Sequence, residues 1–264
     1  MTVTETATDK PLIIGGKEFT SRLMLGTGKY RTHDEMVGAF ESSGTQIITV
    51  ALRRIDFDDP ASRSVLENVD WSQYQILPNT AGCATADEAI RIARLARSMG
   101  LSDWIKLEVI PDAKYLFPDP VGTLEAAEVL VKEGFTVLPY ISDDPVLAAR
   151  LEAVGCATVM PLAAPIGSGQ GLVHFDRIKI IIEQSSIPVV VDAGIGAPSD
   201  ASLAMELGAD ACLVNSAIAL AERPVDMARA MAMGVDAGRI AYLAGRMPKR
   251  QAASASSPTT GIVQ

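Results

Sequence analysis

The sequence predicts an α/β fold: a (β/α)8 TIM barrel with a parallel sheet, preceded by a short hairpin. Three observations lead there. Short β-branched or aliphatic runs alternate with helical runs along the chain, the pattern of a parallel sheet with crossover helices. These runs number about eight, as a closed barrel of roughly 250 residues requires. The 264 residues are 48% hydrophobic, enough to fill one large core. The interior shows no linker. A doubly wound open sheet is the alternative, because a strand count does not prove closure.

Taken in order, residues 1–10 read as a flexible N-terminal arm, polar and without an apolar stretch. Leu12 to Phe19 reads as a hairpin turning at Gly15-Gly16. The strands expected next are Leu23–Leu25, Ile47–Leu52, Gln75–Pro78, Trp104–Val109, Val137–Ile141, Thr158–Leu162, Pro188–Asp192 and Ala211–Asn215. Thr85-Ala86-Asp87-Glu88 is a capping box. Behind it Ala89, Ile90, Ala93, Ala96 and Met99 recur at helical period, and Gly100 suits the C-terminal stop. Pro198 and Pro224 sit where helices can start. Residues 11–246 thus form a single catalytic barrel domain, and residues 247–264, rich in Ala, Ser, Pro and Thr, a disordered tail.

Composition narrows the function. A net charge of −9 argues against a nucleic-acid partner. No apolar run approaches the ~18 residues that span a bilayer, and the N-terminal segment lacks the core of a secretory signal. Cys83, Cys156 and Cys212 are far apart in apolar settings and read as reduced core thiols of a cytosolic protein. His33 and His174 stand near helix starts without a partner at ligand spacing, so no metal site is expected. Met227, Met231 and Met233 read as core or interface.

The chemistry points to Trp104-Ile105-Lys106-Leu107-Glu108-Val109. Read at period two, Ile105, Leu107 and Val109 share one face, Trp104, Lys106 and Glu108 the other. Parallel barrel strands are covered on both faces, so the charged pair is withdrawn from water. A lysine amine attacks a carbonyl only when neutral, and at its reference pKa of ~10.4 about one in a few thousand is neutral at pH 7. Burial lowers that value, by up to ~3–5. An ionised Glu108 at ~7 Å opposes this by roughly 2.4 kcal/mol at an effective dielectric of ~20, so desolvation can win and lower the lysine pKa, most easily with Glu108 protonated. Two readings stay open: a catalytic lysine, or a structural ion pair. Asp192 closes the apolar run Pro188–Val191, where a carboxylate can cap the next helix or move protons.

Barrels often hold phosphate with the loops after strands seven and eight. Ala193-Gly194-Ile195-Gly196 and Asn215-Ser216 fall there, and the loop after strand six is Pro165-Ile166-Gly167-Ser168-Gly169-Gln170-Gly171. Backbone N–H groups brought close by glycine can bind the anion, most plausibly at Gly167, Gly194, Asn215 and Ser216. Gly169, Gly171 and Gly196 can equally serve only to turn the chain. Arg53 and Arg54 after strand two can meet an anion or form surface salt bridges.

Six segments carry a resemblance: Leu25-Gly26-Thr27-Gly28-Lys29-Tyr30, Thr49–Arg54, Leu77–Gly82, Trp104–Glu108, Ala164–Gly171 and Val191–Gly196. From about Leu12 to Arg246 the chain resembles the bacterial thiazole synthases of thiamine biosynthesis. It departs at Ser216, where the family usually has Thr, and at Ala163, where it usually has Gly; neither change removes a chemical group. The resemblance implies a Schiff base on Lys106, acid/base work by Glu108 and Asp192, and sugar-phosphate contacts at Gly167, Ala193, Gly194, Asn215 and Ser216. It implies a condensation of 1-deoxy-D-xylulose 5-phosphate, dehydroglycine and sulfur into a thiazole phosphate carboxylate. The sulfur would come from the thiocarboxylate of a small ubiquitin-like sulfur carrier protein. It further implies a cytoplasmic homotetramer that needs no cofactor or metal. Two competing functions are a class I aldolase acting on a phosphorylated sugar and a non-catalytic sugar-phosphate binding protein.

Overall fold

The computed structural model describes residues 9–51 and 69–256. Arg53, Arg54 and Leu52 lie outside the described residues. Among the described residues ten strands fall in two sheets. A hairpin pairs β1 (Leu12–Ile14) with β2 (Lys17–Phe19), Leu12 opposite Phe19, and turns at Gly15 and Gly16, both left-handed.

The second sheet is parallel and contains β3 (Leu23–Gly26), β4 (Ile47–Ala51), β5 (Gln75–Asn79), β6 (Trp104–Leu107), β7 (Thr136–Ile141), β8 (Met160–Pro161), β9 (Val190–Asp192) and β10 (Ala211–Val214). Its order is β8-β7-β6-β5-β4-β3-β10-β9. Bridges Val159↔Val189 and Leu162↔Asp192 join the two ends, so the sheet closes into the expected barrel rather than an open one.

Between the strands run α1 (His33–Ser43), α2 (Ala86–Ser98), α3 (Pro120–Lys132), α4 (Pro145–Val154), α5 (Phe175–Gln184), α6 (Pro198–Glu206), the single turn α7 (Ser216–Ala219) and α8 (Pro224–Ala244). Each of α3, α4, α6 and α8 starts on proline, whose missing N–H costs nothing at a helix start. At α2 the Thr85 hydroxyl accepts from Glu88 N–H (3.3 Å), as the capping box requires. Glu88 reaches one residue further back than expected, to Ala84 N–H (2.9 Å).

The period-two reading of β6 holds. Ile105, Leu107 and Val109 pack outward against Ala89 and Ala93 of α2 and Ala126 and Leu130 of α3. Trp104 points inward with Met24, Ile47, Leu77, Leu138, Met160, Val190 and Ala211, so that every barrel strand contributes to one inner cluster. Leu12, Ile14 and Phe19 of the hairpin join this cluster and close the N-terminal end of the barrel, Phe19 meeting Trp104 edge-on at 5.9 Å.

β8 and β9 are shorter than the expected Thr158–Leu162 and Pro188–Asp192, and two further details differ from the sequence reading. β6 stops at Leu107 because the backbone groups of Glu108 bond the Thr80 side chain instead of a neighbouring strand. Within the segment read as an arm, Asp9 is tied down: its carboxylate accepts from Arg239 (2.8 Å) and Arg22 (3.1 Å), and Arg239 holds it below the usual carboxylate range. At the other end, residues 245–256 carry no helix or strand. Among the described residues no helix is long and apolar enough to cross a membrane.

Candidate active site

The C-terminal ends of the strands surround a cavity of about 510 Å³. Lys106, Glu108, Asp192, Gly167, Ala193, Gly194, Asn215 and Ser216 all line it. Eight residues from four separate stretches of chain therefore converge on one place.

On its floor, Lys106 stands between two carboxylates. Its Nζ lies 2.6 Å from Asp192 Oδ2 and 3.1 Å from Glu108 Oε1, with all three residues at most 5% exposed. Expectation and structure differ here. Burial by itself would lower the lysine pKa, but Asp192 and then Glu108 outweigh it, and the net shift is upward. The ~7 Å separation expected along the strand measured backbone spacing, whereas the flexible side chains meet in direct contact. The resting lysine is an ammonium ion, so it needs a proton acceptor before it can act as a nucleophile.

Asp192 does not cap the next helix, whose N-cap is Ala197; its carboxylate turns to its own neighbour and to Lys106. Its Oδ1 accepts from Ala193 N–H (2.7 Å), which fixes the carboxylate, while Oδ2 faces the lysine. Glu108 is fixed through its backbone. The Thr80 hydroxyl accepts from Glu108 N–H and donates to Glu108 C=O, both at 2.7 Å, and Thr80 N–H donates to Lys106 C=O (3.2 Å). Thr80 is fully buried. Thr80→Val keeps the shape but leaves both Glu108 backbone groups without that partner. It is expected to cost about 1–3 kcal/mol in urea denaturation and to lower turnover about tenfold through misplacement of Glu108. Wild-type stability in this variant would contradict the assigned role.

A family model described as "Thiazole biosynthesis protein ThiG" matches residues 13–258. The chain belongs to this family. A "Bifunctional protein ThiO/ThiG" from Nostoc sp. is 63% identical over 261 residues, covering 97% of this chain and 40% of that protein. The chain thus spans less than half the length of such bifunctional relatives. A "Thiazole synthase" from Trichodesmium erythraeum is 58% identical over 261 residues, 97% of this chain and 94% of that one. Among solved structures, a chain of the Amycolatopsis orientalis BexX/CysO complex superposes with a TM-score of 0.84 at 35% identity, covering 92% of this chain and all of that chain.

Several site residues escaped the sequence reading of this family member. Thr80 appeared only inside a motif. Tyr140 projects from β7, fully buried, with its ring 5.4 Å from Lys106 Nζ; burial, then Asp192 and Glu108, push its hydroxyl pKa up, so it stays a phenol. Asn79 Nδ2 donates to Thr49 Oγ1 (3.0 Å) and gives the cavity a polar wall. Lys29, from the loop after β3, reaches across the cavity mouth to Ser216.

The glycines divide by role. At Gly194 (φ +72°) a Cβ would lie 2.4 Å from Ala164 N, so packing between the loops after β8 and β9 already demands glycine there. At Gly167 (φ +74°) a Cβ would meet only Lys29 Nζ at 3.4 Å and Ser216 Oγ at 3.7 Å, so its missing side chain leaves room in the cavity. The N–H groups of Gly196 and Ala197 at the start of α6 are occupied by the Asp200 carboxylate (2.9 and 3.0 Å), which removes that helix end from anion binding. Cys156 and Cys212 are core thiols with pKa values pushed up to about 12 by burial.

Proposed function

We infer that this chain is the thiazole-forming enzyme of thiamine biosynthesis, working through an imine on Lys106. The observation that carries this reading is the Lys106 ammonium held between two buried carboxylates at the floor of a cavity. Family membership and the thiazole synthase relatives support it.

The sugar 1-deoxy-D-xylulose 5-phosphate enters with its ketone over Lys106. Asp192 Oδ2, the nearer acceptor, takes the ammonium proton as the amine attacks the carbonyl carbon. The resulting carbinolamine loses water to give the imine. Glu108 and Asp192 then exchange protons with the sugar carbons and shift the carbonyl along the chain. Asn215 Oδ1, buried without a partner among the described residues, can accept from a sugar hydroxyl. Gly167, Ala193, Gly194 and Ser216 surround the phosphate, Ala193 once its N–H leaves Asp192.

Sulfur reaches the imine as the thiocarboxylate of a small ubiquitin-like carrier protein, and dehydroglycine supplies nitrogen and the remaining carbon. The BexX/CysO neighbour, solved as a two-protein complex, supports a protein partner. On the same reading the enzyme is a cytoplasmic homotetramer. Exposed Met233 and Ile240, one heptad apart on α8, support self-association.

Two measurements test this function. Thiazole formation from the three substrates should require the thiocarboxylated carrier, and turnover without it, releasing a shortened carbonyl product, would instead indicate an aldolase. For the phosphate site, Ser216→Ala should weaken sugar-phosphate binding by only about 1 kcal/mol, or roughly fivefold. Gly194→Ala should lose binding and thermal stability together, because its Cβ overlaps the Ala164 backbone. A larger binding loss in Ser216→Ala than in Gly194→Ala would overturn this assignment.

A further inference from the structure

Lys29 follows the Gly26-Thr27-Gly28 turn after β3 and is exposed at the cavity mouth. Its backbone is left-handed (φ +72°), a region that side-chain-bearing residues occupy only where surrounding structure holds them. Its Nζ donates to Ser216 Oγ (3.1 Å) and lies 3.4 Å from the position a Gly167 Cβ would take. The amine therefore bridges the loops after β8 and β10 that flank the open space at Gly167. Among the described residues no carboxylate is in ion-pair contact with it.

Charge gives this position a purpose. The charged residues lining the cavity among the described residues are Lys29, Lys106, Glu108 and Asp192. Lys106 is engaged by both carboxylates, so without Lys29 these groups leave the cavity net negative, in a chain whose net charge is −9. A phosphate dianion entering such a cavity would be repelled. The loops after β8, β9 and β10 offer no Lys or Arg from Leu162 to His174, from Asp192 to Leu207 or from Asn215 to Ala221. The cation comes instead from the first barrel strand, which closure sets beside the eighth.

We propose that Lys29 is the residue that selects a phosphorylated sugar, its ammonium passing from Ser216 Oγ to the substrate phosphate. This rests on the sugar-phosphate reading above and adds a charged anchor to the backbone N–H groups.

Two charge-removing variants of the full chain, with Lys29→Arg as the conservative control, test it. Lys29→Met removes the charge and keeps the stem; Lys29→Gly also relieves the left-handed backbone, so its melting temperature should equal or exceed the wild-type value. Borohydride trapping is titrated with 1-deoxy-D-xylulose 5-phosphate and with unphosphorylated 1-deoxy-D-xylulose. Both variants should raise the half-saturating concentration of the phosphorylated sugar roughly 10–100-fold, as for loss of one charge-assisted hydrogen bond. The value for the unphosphorylated sugar should move less than about threefold, and Lys29→Arg should recover part of the loss. Equal changes for the two sugars, or no change for the phosphorylated one, would overturn the proposal. If the wild type traps neither sugar, the imine reading fails, and calorimetric titration with inorganic phosphate decides on Lys29. Binding at least tenfold weaker in Lys29→Met supports the role; equal binding, or none by the wild type, overturns it.

Discussion

Lys106→Ala is expected to abolish both thiazole formation and imine trapping, and to lower the melting temperature by roughly 10 °C. The loss of chemistry follows from the missing amine. The loss of stability follows from what remains, two carboxylates at most 5% exposed without their shared cation. Removing one partner of a buried ion pair typically costs about 3–5 kcal/mol, and each 1 kcal/mol shifts the melting temperature of a domain this size by roughly 2–4 °C. Lys106→Arg keeps a positive charge but cannot form an imine, so it should regain part of the stability and none of the activity. In the wild type the lysine's own contribution to the ion triad is lost at the alkaline end. The folded lysine pKa is raised, so the contribution is complete below the unfolded value near 10.5 and fades as the pH rises through the folded one. Thermal melts of Lys106→Ala and the wild type should therefore differ by the same amount at pH 7 and pH 9 as far as Lys106 itself is concerned. A Lys106→Ala enzyme that turns over substrate would refute the mechanism.

Asp192→Asn is the second large effect. Asparagine keeps an oxygen for Ala193 N–H but removes one of the two charges that hold the Lys106 proton. Burial then acts against Glu108 alone, and the lysine pKa should fall below its wild-type value. Two consequences run in opposite directions. Turnover should drop by about 10²–10⁴-fold, the usual contribution of a positioned proton carrier. Meanwhile a small amine-acylating reagent that fits the cavity should modify Lys106 faster than in the wild type, with a pH profile moved to lower pH. Peptide mass mapping of acylation between pH 6 and 10 reads this directly. An unchanged profile would mean that Asp192 does not govern the proton on Lys106.

Much of the site was legible because barrel geometry converts spacing into direction. Lys106 and Glu108 are two residues apart, so a single strand turns both inward, and the apolar run ending in Asp192 sets that carboxylate at the C-terminal rim. Distances across the barrel were not legible. Asp192 is the nearer neighbour of Lys106 although 85 residues lie between them in the sequence, and only closure through Leu162↔Asp192 fixes that side of the barrel. The direction of the lysine shift was misjudged for the same reason: burial can be inferred from sequence, whereas two contacting carboxylates cannot. Thr80 illustrates another limit. It reads as an ordinary loop residue, and its value lies in replacing the ladder bonds that β6 loses at Glu108. Asp200 does the reverse, taking the N–H of Gly196, which the sequence left open as an anion contact or a plain turn, together with that of Ala197.

The most direct test of the central claim is to incubate the wild-type chain with 1-deoxy-D-xylulose 5-phosphate, reduce with borohydride and map the peptides by mass. The account predicts one adduct, with the mass of the reduced sugar phosphate, on the peptide containing Lys106. No adduct, or an adduct on another lysine with Lys106 unmodified, would contradict it.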